Sequence, residues 1–113
     1  MVTFTEYSQG RLETSIYPVR PSFGIRETPL YPFLGLAGET GEVIEKLKKY
    51  IRDGSGPSVL QSELLGELGD VLWYLDACAY EMGYSLEDVA TANLEKLASR
   101  KERGVLHGSG DNR

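Results

Sequence analysis

The chain is poor in the residues and patterns that several common kinds of chemistry require. Its single cysteine, Cys78, and its single histidine, His107, provide neither an internal disulfide nor a set of zinc ligands. No apolar run is long enough to cross a bilayer or to form the core of a signal peptide. The net charge of −5 disfavours general nucleic-acid binding. These absences predict a cytoplasmic protein that binds neither nucleic acid nor membranes.

Apolar residues recur at intervals of three and four along most of the chain, which is the period of an amphipathic helix. The pattern predicts four helices, over about residues 3–15, 33–52, 59–82 and 85–103. Between the first two helices, repeated prolines predict an extended loop. We expect its aromatic residues, which include Tyr17 and Tyr31, to pack over the domain or a neighbouring subunit instead of lining a ligand pocket. No alternating run predicts a sheet.

These elements predict an all-α fold, a helical bundle of about four helices in one domain of 113 residues. The domain divides into an N-terminal helix with a proline-rich loop, the core helices and a glycine-rich tail, at residues 1–32, 33–103 and 104–113. Because so few helices carry such long apolar stripes, we expect oligomerisation to complete the bundle, as a homodimer or a dimer of dimers.

Two pairs of acidic residues are the most informative feature of the chain. Glu39 and Glu42 lie three residues apart in the second predicted helix, and Glu67 and Asp70 do so in the third. Residues three apart share a helix face, and both pairs lie at the same edge of their apolar stripe, so we expect them to face one groove. Carboxylate oxygens are the ligands that Mg²⁺ and Mn²⁺ prefer. A di-iron site would need Glu-x-x-His motifs, which the sequence lacks.

Acidic pairs also occur on solvated helix faces, where a lysine or arginine one turn away balances them. Glu42 fits this alternative, because Lys46 follows four residues later. Glu67 and Asp70 have no cation at the neighbouring positions of their own helix. Like charges this close would raise a pKa unless a cation intervenes, so the third helix favours a metal site.

Five glycines fall inside the second and third predicted helices, although each costs helix stability relative to alanine. They are Gly35, Gly38, Gly41, Gly66 and Gly69. Either a close approach between helix backbones or room for a ligand beside the carboxylates would account for them.

Polar and basic residues line one side of the predicted fourth helix. Asn93, Lys96 and Arg100 are spaced by three and four residues, so they could reach phosphate oxygens opposite the acidic pairs. A solvated basic stripe is the alternative. On the third helix, Tyr74 lies one turn beyond the acids and could contact a sugar or base, whereas Trp73 points elsewhere and is expected in the core or an interface.

The pattern ExxE, the segment ELGDVLWYL and the downstream NLEKLASRKERG resemble the MazG-like family of all-α nucleoside triphosphate pyrophosphohydrolases, over about residues 33–110. The resemblance implies Mg²⁺-dependent cleavage between the α and β phosphates of a (deoxy)nucleoside triphosphate, giving a monophosphate and pyrophosphate. It implies that four acids are the metal ligands and the catalytic residues: Glu39, Glu42, Glu67 and Asp70. The substrate-binding candidates, of which the resemblance favours the first two, are Asn93, Lys96, Arg100 and Tyr74.

Two other functions stay open at this point. A non-catalytic helical interaction module could use the acidic groove to bind a basic partner without any metal. A related hydrolase could act on phosphoribosyl-ATP, a dUTP-type nucleotide or an alarmone, because the acidic motifs contact only the phosphates that these compounds share. The sequence therefore predicts a nucleotide substrate but identifies neither its base nor its sugar.

Overall fold

The computed structural model describes all 113 residues and confirms the mostly helical fold. Its elements are α1 (Phe4–Leu12), β1 (Ser22–Phe23), β2 (Thr28–Pro29), α2 (Tyr31–Asp53), α3 (Pro57–Glu81) and α4 (Leu86–Glu102). The four helices are those that the apolar spacing predicted, with ends that differ by at most three residues. None of them combines the length and the apolar character that a membrane span requires.

A short antiparallel hairpin in the proline-rich segment is an element that the sequence did not predict. Ser22 pairs with Pro29, and Phe23 pairs with Thr28. The chain reverses direction through Gly24, whose φ of 74° lies in the left-handed region that glycine tolerates. Strands of two residues are too short to produce an alternating pattern, so the sequence indicated only a loop.

Local capping contacts set the starts of α1 and α4. The Thr3 hydroxyl accepts a hydrogen bond from the Glu6 N–H at 3.1 Å, and the Ser85 hydroxyl accepts one from the Asp88 N–H at 3.0 Å. In both cases the acidic side chain accepts in return from the backbone N–H of the cap residue. These reciprocal bonds satisfy N–H groups that the first turn of a helix leaves unpaired.

α2 and α3 form a long antiparallel helical hairpin, which is the most extensive helix contact of the chain. Pro32 and Pro57 lie in the first turns of the two helices, where a missing N–H breaks no intrahelical bond. Gly54 ends α2 with a φ of 68°, a conformation that favours glycine. The short connection places the middle of α2 beside the middle of α3, which positions the candidate site.

A buried ion pair fastens α1 to α3. Arg11 Nε donates to Asp76 Oδ2, and both residues are at most 3% exposed. Ser8 Oγ donates to the other Asp76 oxygen at 2.7 Å. The Arg11 guanidinium also lies over the rings of Trp73 and Tyr80. These contacts compensate the buried charges and hold the N-terminal segment on the helical hairpin.

The fully buried apolar core is small, and much apolar surface stays exposed. Its side chains are Ala77, Cys78, Ala79 and Leu86. The chain exposes 8182 Å², whereas a folded monomer of this mass is expected to expose about 6200 Å². The radius of gyration is 17.0 Å, against about 13 Å for a compact domain of this length. The helices therefore bury less of their apolar stripes than a closed four-helix bundle would.

Candidate functional site

Three of the four predicted metal ligands meet where the middle of α2 faces the middle of α3. One carboxylate oxygen from each of Glu39, Glu67 and Asp70 lies within 4.8 Å of the other two. Glu39 belongs to α2, and the other two belong to successive turns of α3. Hard oxygen donors in this number suit Mg²⁺ or Mn²⁺, which bind through carboxylates. We refer to these three residues as the acidic cluster.

The charges of the acidic cluster are only partly balanced within the chain. Loss of hydration on partial burial raises the pKa of Glu39, and the negative charges of Asp70, Glu67 and Glu42 raise it further. The one cation at ion-pair distance is Lys46, whose Nζ lies 3.7 Å from Glu67 Oε1. A divalent cation at this point would relieve the remaining repulsion.

Glu42 lies at the edge of the acidic cluster. It is exposed, and it is not among the three residues whose oxygens meet, although its charge acts on Glu39. Lys46 pairs with Glu67 across the helix interface, and not with Glu42 as the sequence suggested. Spacing along one helix cannot reveal a partner on another. The assignment of Glu42 as a metal ligand stays a prediction.

An aromatic cavity of about 470 Å³ opens beside the acidic cluster, and Glu39 and Asp70 form part of its wall. No basic residue lines it; its aromatic residues are Tyr17, Tyr31, Trp73 and Tyr74. Tyr74 thus lies beside the acids, as the sequence predicted. The other three were expected to pack over the domain, in the core or in an interface, and sequence reasoning missed their place beside the acids.

The segment that follows α1 folds back over α3 and brings its side chains to this cavity. Trp73 Nε1 donates to Thr14 Oγ1 at 2.9 Å, and the Tyr17 hydroxyl donates to Glu81 Oε1 at 2.6 Å. The rings of Tyr17 and Tyr31 are nearly parallel, at an angle of 8°, with centroids 6.2 Å apart. Trp73 meets Tyr17 edge to face, with centroids 6.0 Å apart. A helical wheel of α3 alone contains no information about this overlying segment.

The position of the Tyr74 ring depends on Gly35 of α2. A Cβ atom at Gly35 would lie 2.2 Å from Tyr74 Cε1, which is far inside van der Waals contact. Close packing within the chain therefore accounts for this glycine. It does not account for the other four helix glycines, because a Cβ would meet no atom within 4 Å at Gly38, Gly41, Gly66 or Gly69.

The predicted substrate-binding residues of α4 do not share a cavity with the acidic cluster. Asn93 and Lys96 line a separate cavity of about 850 Å³ that includes none of the four predicted metal ligands. Arg100 is 5% exposed, and its Nη2 donates to the carbonyl oxygen of Asp111 at 2.9 Å. α4 makes its main contacts with α1 and α3. Phosphate binding by these three residues stays a prediction.

Arginine side chains organise the glycine-rich tail. Arg113 donates to the carbonyl oxygens of Val105 at 2.9 Å and Gly110 at 2.7 Å, and Arg103 donates to the carbonyl oxygen of Arg113 at 2.7 Å. The tail forms turns and no regular element, as its composition predicted. The sequence did not indicate that these arginines fold the tail against the end of α4.

Comparisons with known proteins agree with this geometry. The profile of the MazG nucleotide pyrophosphohydrolase domain matches residues 27–105, a range that contains the helical hairpin, α4 and the whole acidic cluster. The gene 37 protein of Mycobacterium phage L5 is 42% identical over 109 residues, which cover 95% of this chain and 96% of that protein. No solved structure matches the chain. Because the profile covers well over half of the chain and contains the converging acids, the chain belongs to the MazG nucleotide pyrophosphohydrolase family.

Proposed function

We propose that the protein is a Mg²⁺-dependent nucleotide pyrophosphohydrolase. In this reaction water cleaves the bond between the α and β phosphates of a (deoxy)nucleoside triphosphate, and a monophosphate and pyrophosphate are released. The observation that carries the proposal is the meeting of Glu39, Glu67 and Asp70 within 4.8 Å, in a chain of the MazG family. Mn²⁺ prefers the same oxygen ligands and is an alternative to Mg²⁺.

The charges of the site account for the metal requirement. The carboxylates and the triphosphate are all anionic, so they repel each other at short distance. A bound divalent cation supplies charge neutralisation at the phosphates and an activated water. Glu39, Glu67 and Asp70 would hold it, with Glu42 on the next turn of α2 as a further ligand. Lys46, 3.7 Å from Glu67, adds a positive charge at the edge of the site.

We infer that a second copy of the chain completes the substrate site. Asn93 and Lys96 line a cavity that contains none of the acids of their own chain, which favours a contact with phosphate held by the acids of another copy. The exposed area, 8182 Å², exceeds the expectation for a monomer by about 2000 Å², and a standard interface buries about 800 Å² per partner. A homodimer or a dimer of dimers would cover this surface.

The reaction is tested with purified protein and a panel of nucleoside triphosphates, with Mg²⁺ or with EDTA. We expect equal amounts of monophosphate and pyrophosphate, formed only with the metal. Release of orthophosphate in place of pyrophosphate, or no turnover of any nucleotide by the folded protein, would contradict the proposal.

Assembly is tested by sedimentation velocity across a range of protein concentrations. We expect a dimer or a tetramer, because the exposed apolar stripes of α2, α3 and α4 would otherwise face water. A monomer at every concentration would contradict the shared site and leave the α4 residues without a phosphate to bind.

A further inference from the structure

The aromatic cavity beside the acidic cluster has the composition of a site for a flat, uncharged ring. Four aromatic side chains line it, and no lysine or arginine does. Away from a bound metal ion, a phosphate group has no cation to bind there, and the carboxylates of Glu39 and Asp70 would repel it. An uncharged aromatic heterocycle is not repelled by the carboxylates, and it can stack on the aromatic side chains of the cavity. The volume, about 470 Å³, lies in the usual range for small-molecule sites.

The cavity is built by two parts of the chain that lie far apart in sequence. Tyr31, Trp73 and Tyr74 lie within the matched MazG domain, residues 27–105. Tyr17 precedes that range, as do Thr14, Ile16 and Pro18, which also line the cavity. The N-terminal segment therefore supplies one wall of the cavity from outside the region that the family profile describes.

Directed contacts hold this N-terminal wall in place. The Tyr17 hydroxyl donates to Glu81 at 2.6 Å, and the Trp73 indole N–H donates to Thr14 at 2.9 Å. Arg11, four residues before Ser15, donates to the Ser15 hydroxyl at 2.6 Å and forms the buried pair that fixes α1. A ring whose own hydroxyl and whose preceding residues are hydrogen-bonded keeps its face toward the cavity with little loss of entropy on binding.

We propose that this cavity binds the base of the nucleotide, and that Tyr17 is a specificity-determining residue supplied by the N-terminal segment. The base packs against the aromatic wall that Tyr17 and Tyr31 form, while its phosphates extend toward the metal ion that Glu39 and Asp70 would hold at the acidic edge of the same cavity. This inference rests on the proposed function for the orientation of the nucleotide. Substrate choice is then decided by the aromatic wall of the cavity and not by its acidic edge.

Trp73 provides a direct readout, because it is the only tryptophan of the chain and lies in the cavity wall. We would titrate the protein with non-hydrolysable α,β-imido nucleoside triphosphates in Mg²⁺ and with plain nucleosides in EDTA, and follow the fluorescence of Trp73. A stacked base is expected to quench it in a saturable way. Tyr17→Leu should weaken nucleotide binding about 10- to 100-fold, the usual range for the loss of one stacking partner.

Two further variants distinguish the effect of losing the Tyr17 ring from the effect of disturbing the fold. Tyr17→Phe keeps the aromatic face but loses the hydrogen bond to Glu81, so it should bind nucleotide more weakly than the wild type and more tightly than Tyr17→Leu. Phe23→Leu removes an aromatic ring from the same N-terminal segment but outside the cavity and should bind as the wild type does. Thermal unfolding of each variant shows whether it is folded. Equal nucleotide affinity for folded Tyr17→Leu and the wild type would overturn the proposal.

The outcome for the base site and the outcome for the reaction can be told apart. Wild-type turnover with an unchanged KM in Tyr17→Leu would reject the base site and leave the reaction intact. No turnover, together with Tyr17-dependent quenching by nucleosides in EDTA, would reject the reaction and retain the base site. Trp73 fluorescence that responds to protein concentration but to no nucleotide would show that a second copy covers the cavity, and would overturn the proposal.

Discussion

Replacing Asp70 by asparagine should change the stability of the protein in opposite directions without and with Mg²⁺. The three oxygens of the acidic cluster lie within 4.8 Å of one another, and two unit charges at that distance repel by about 1 kcal/mol in water. Salt at physiological strength reduces this by about half. Asp70 takes part in two of the three repulsions, so Asp70→Asn should stabilise the metal-free protein by about 1 kcal/mol, or about 4 °C.

Mg²⁺ should reverse this order. At 100 times its dissociation constant, a ligand that binds only the native state stabilises it by about 2.7 kcal/mol, which is about 10 °C for a chain of this length. The free energy of unfolding of the wild type should rise by this amount when Mg²⁺ binds. Asp70→Asn has lost one of the three ligands that meet and should gain little, and its turnover should be abolished.

The assay is thermal unfolding followed by circular dichroism, in EDTA and in a Mg²⁺ series, with pyrophosphate release measured in parallel. In EDTA, Glu67→Gln should raise the melting temperature less than Asp70→Asn does, because Lys46, at 3.7 Å, already balances part of the Glu67 charge. Glu63→Gln, which removes the same charge from an exposed position of α3, is the matched control. Wild-type activity and a wild-type response to Mg²⁺ in Asp70→Asn would refute the metal assignment.

Other perturbations test other parts of the structure. Arg11→Met should lower the free energy of unfolding by about 3 kcal/mol, because it leaves a buried carboxylate without its cation; a loss below about 1 kcal/mol in urea unfolding would contradict this. Gly35→Ala should raise the KM for nucleotides, because its Cβ would lie 2.2 Å from the Tyr74 ring, whereas Gly66→Ala, in open space, should raise the melting temperature. Burial raises the pKa of Cys78 from 9.0 to about 11, so the native state retains the thiol proton. That contribution to stability is complete below pH 9 and is lost as the pH rises toward 11. At pH 8 alkylation should be at least 100-fold slower in native than in unfolded protein; equal rates would show that the thiol is accessible.

The acidic cluster was predictable from the sequence because both of its requirements are local or nearly so. Spacing by three residues places Glu67 and Asp70 on one helix face whatever surrounds them. The short, glycine-containing connection between the second and third helices makes an antiparallel pair the expected arrangement, which brings Glu39 of one helix to the acids of the other. Glu42, one turn farther along α2, was predicted as a ligand on the same grounds, but its distance from the other acids depends on how the two helices cross, which spacing along one helix does not determine.

The aromatic cavity was not predictable, because no periodicity links its parts. Tyr17 reaches Trp73 only after the N-terminal segment has folded back over α3, and that path depends on the hydrogen bond from Tyr17 to Glu81 and on the Arg11–Asp76 pair. A proline-rich segment has no regular period from which its neighbours can be inferred. The sequence indicated that this segment carries aromatic residues that pack over the domain, but it did not indicate that Tyr17 and Tyr31 would line a cavity beside the acidic cluster.

The four helices, the acidic pairs and the family follow from the sequence, because helix periodicity and motif spacing are properties of neighbouring residues. Which side chains from separate elements meet depends on the tertiary structure. It paired Lys46 with Glu67, enclosed Arg100 with the tail, and placed Asn93 and Lys96 in a cavity that contains none of the acids. Each of these arrangements brings together residues from separate elements, so it depends on how the elements pack and not on spacing along the chain.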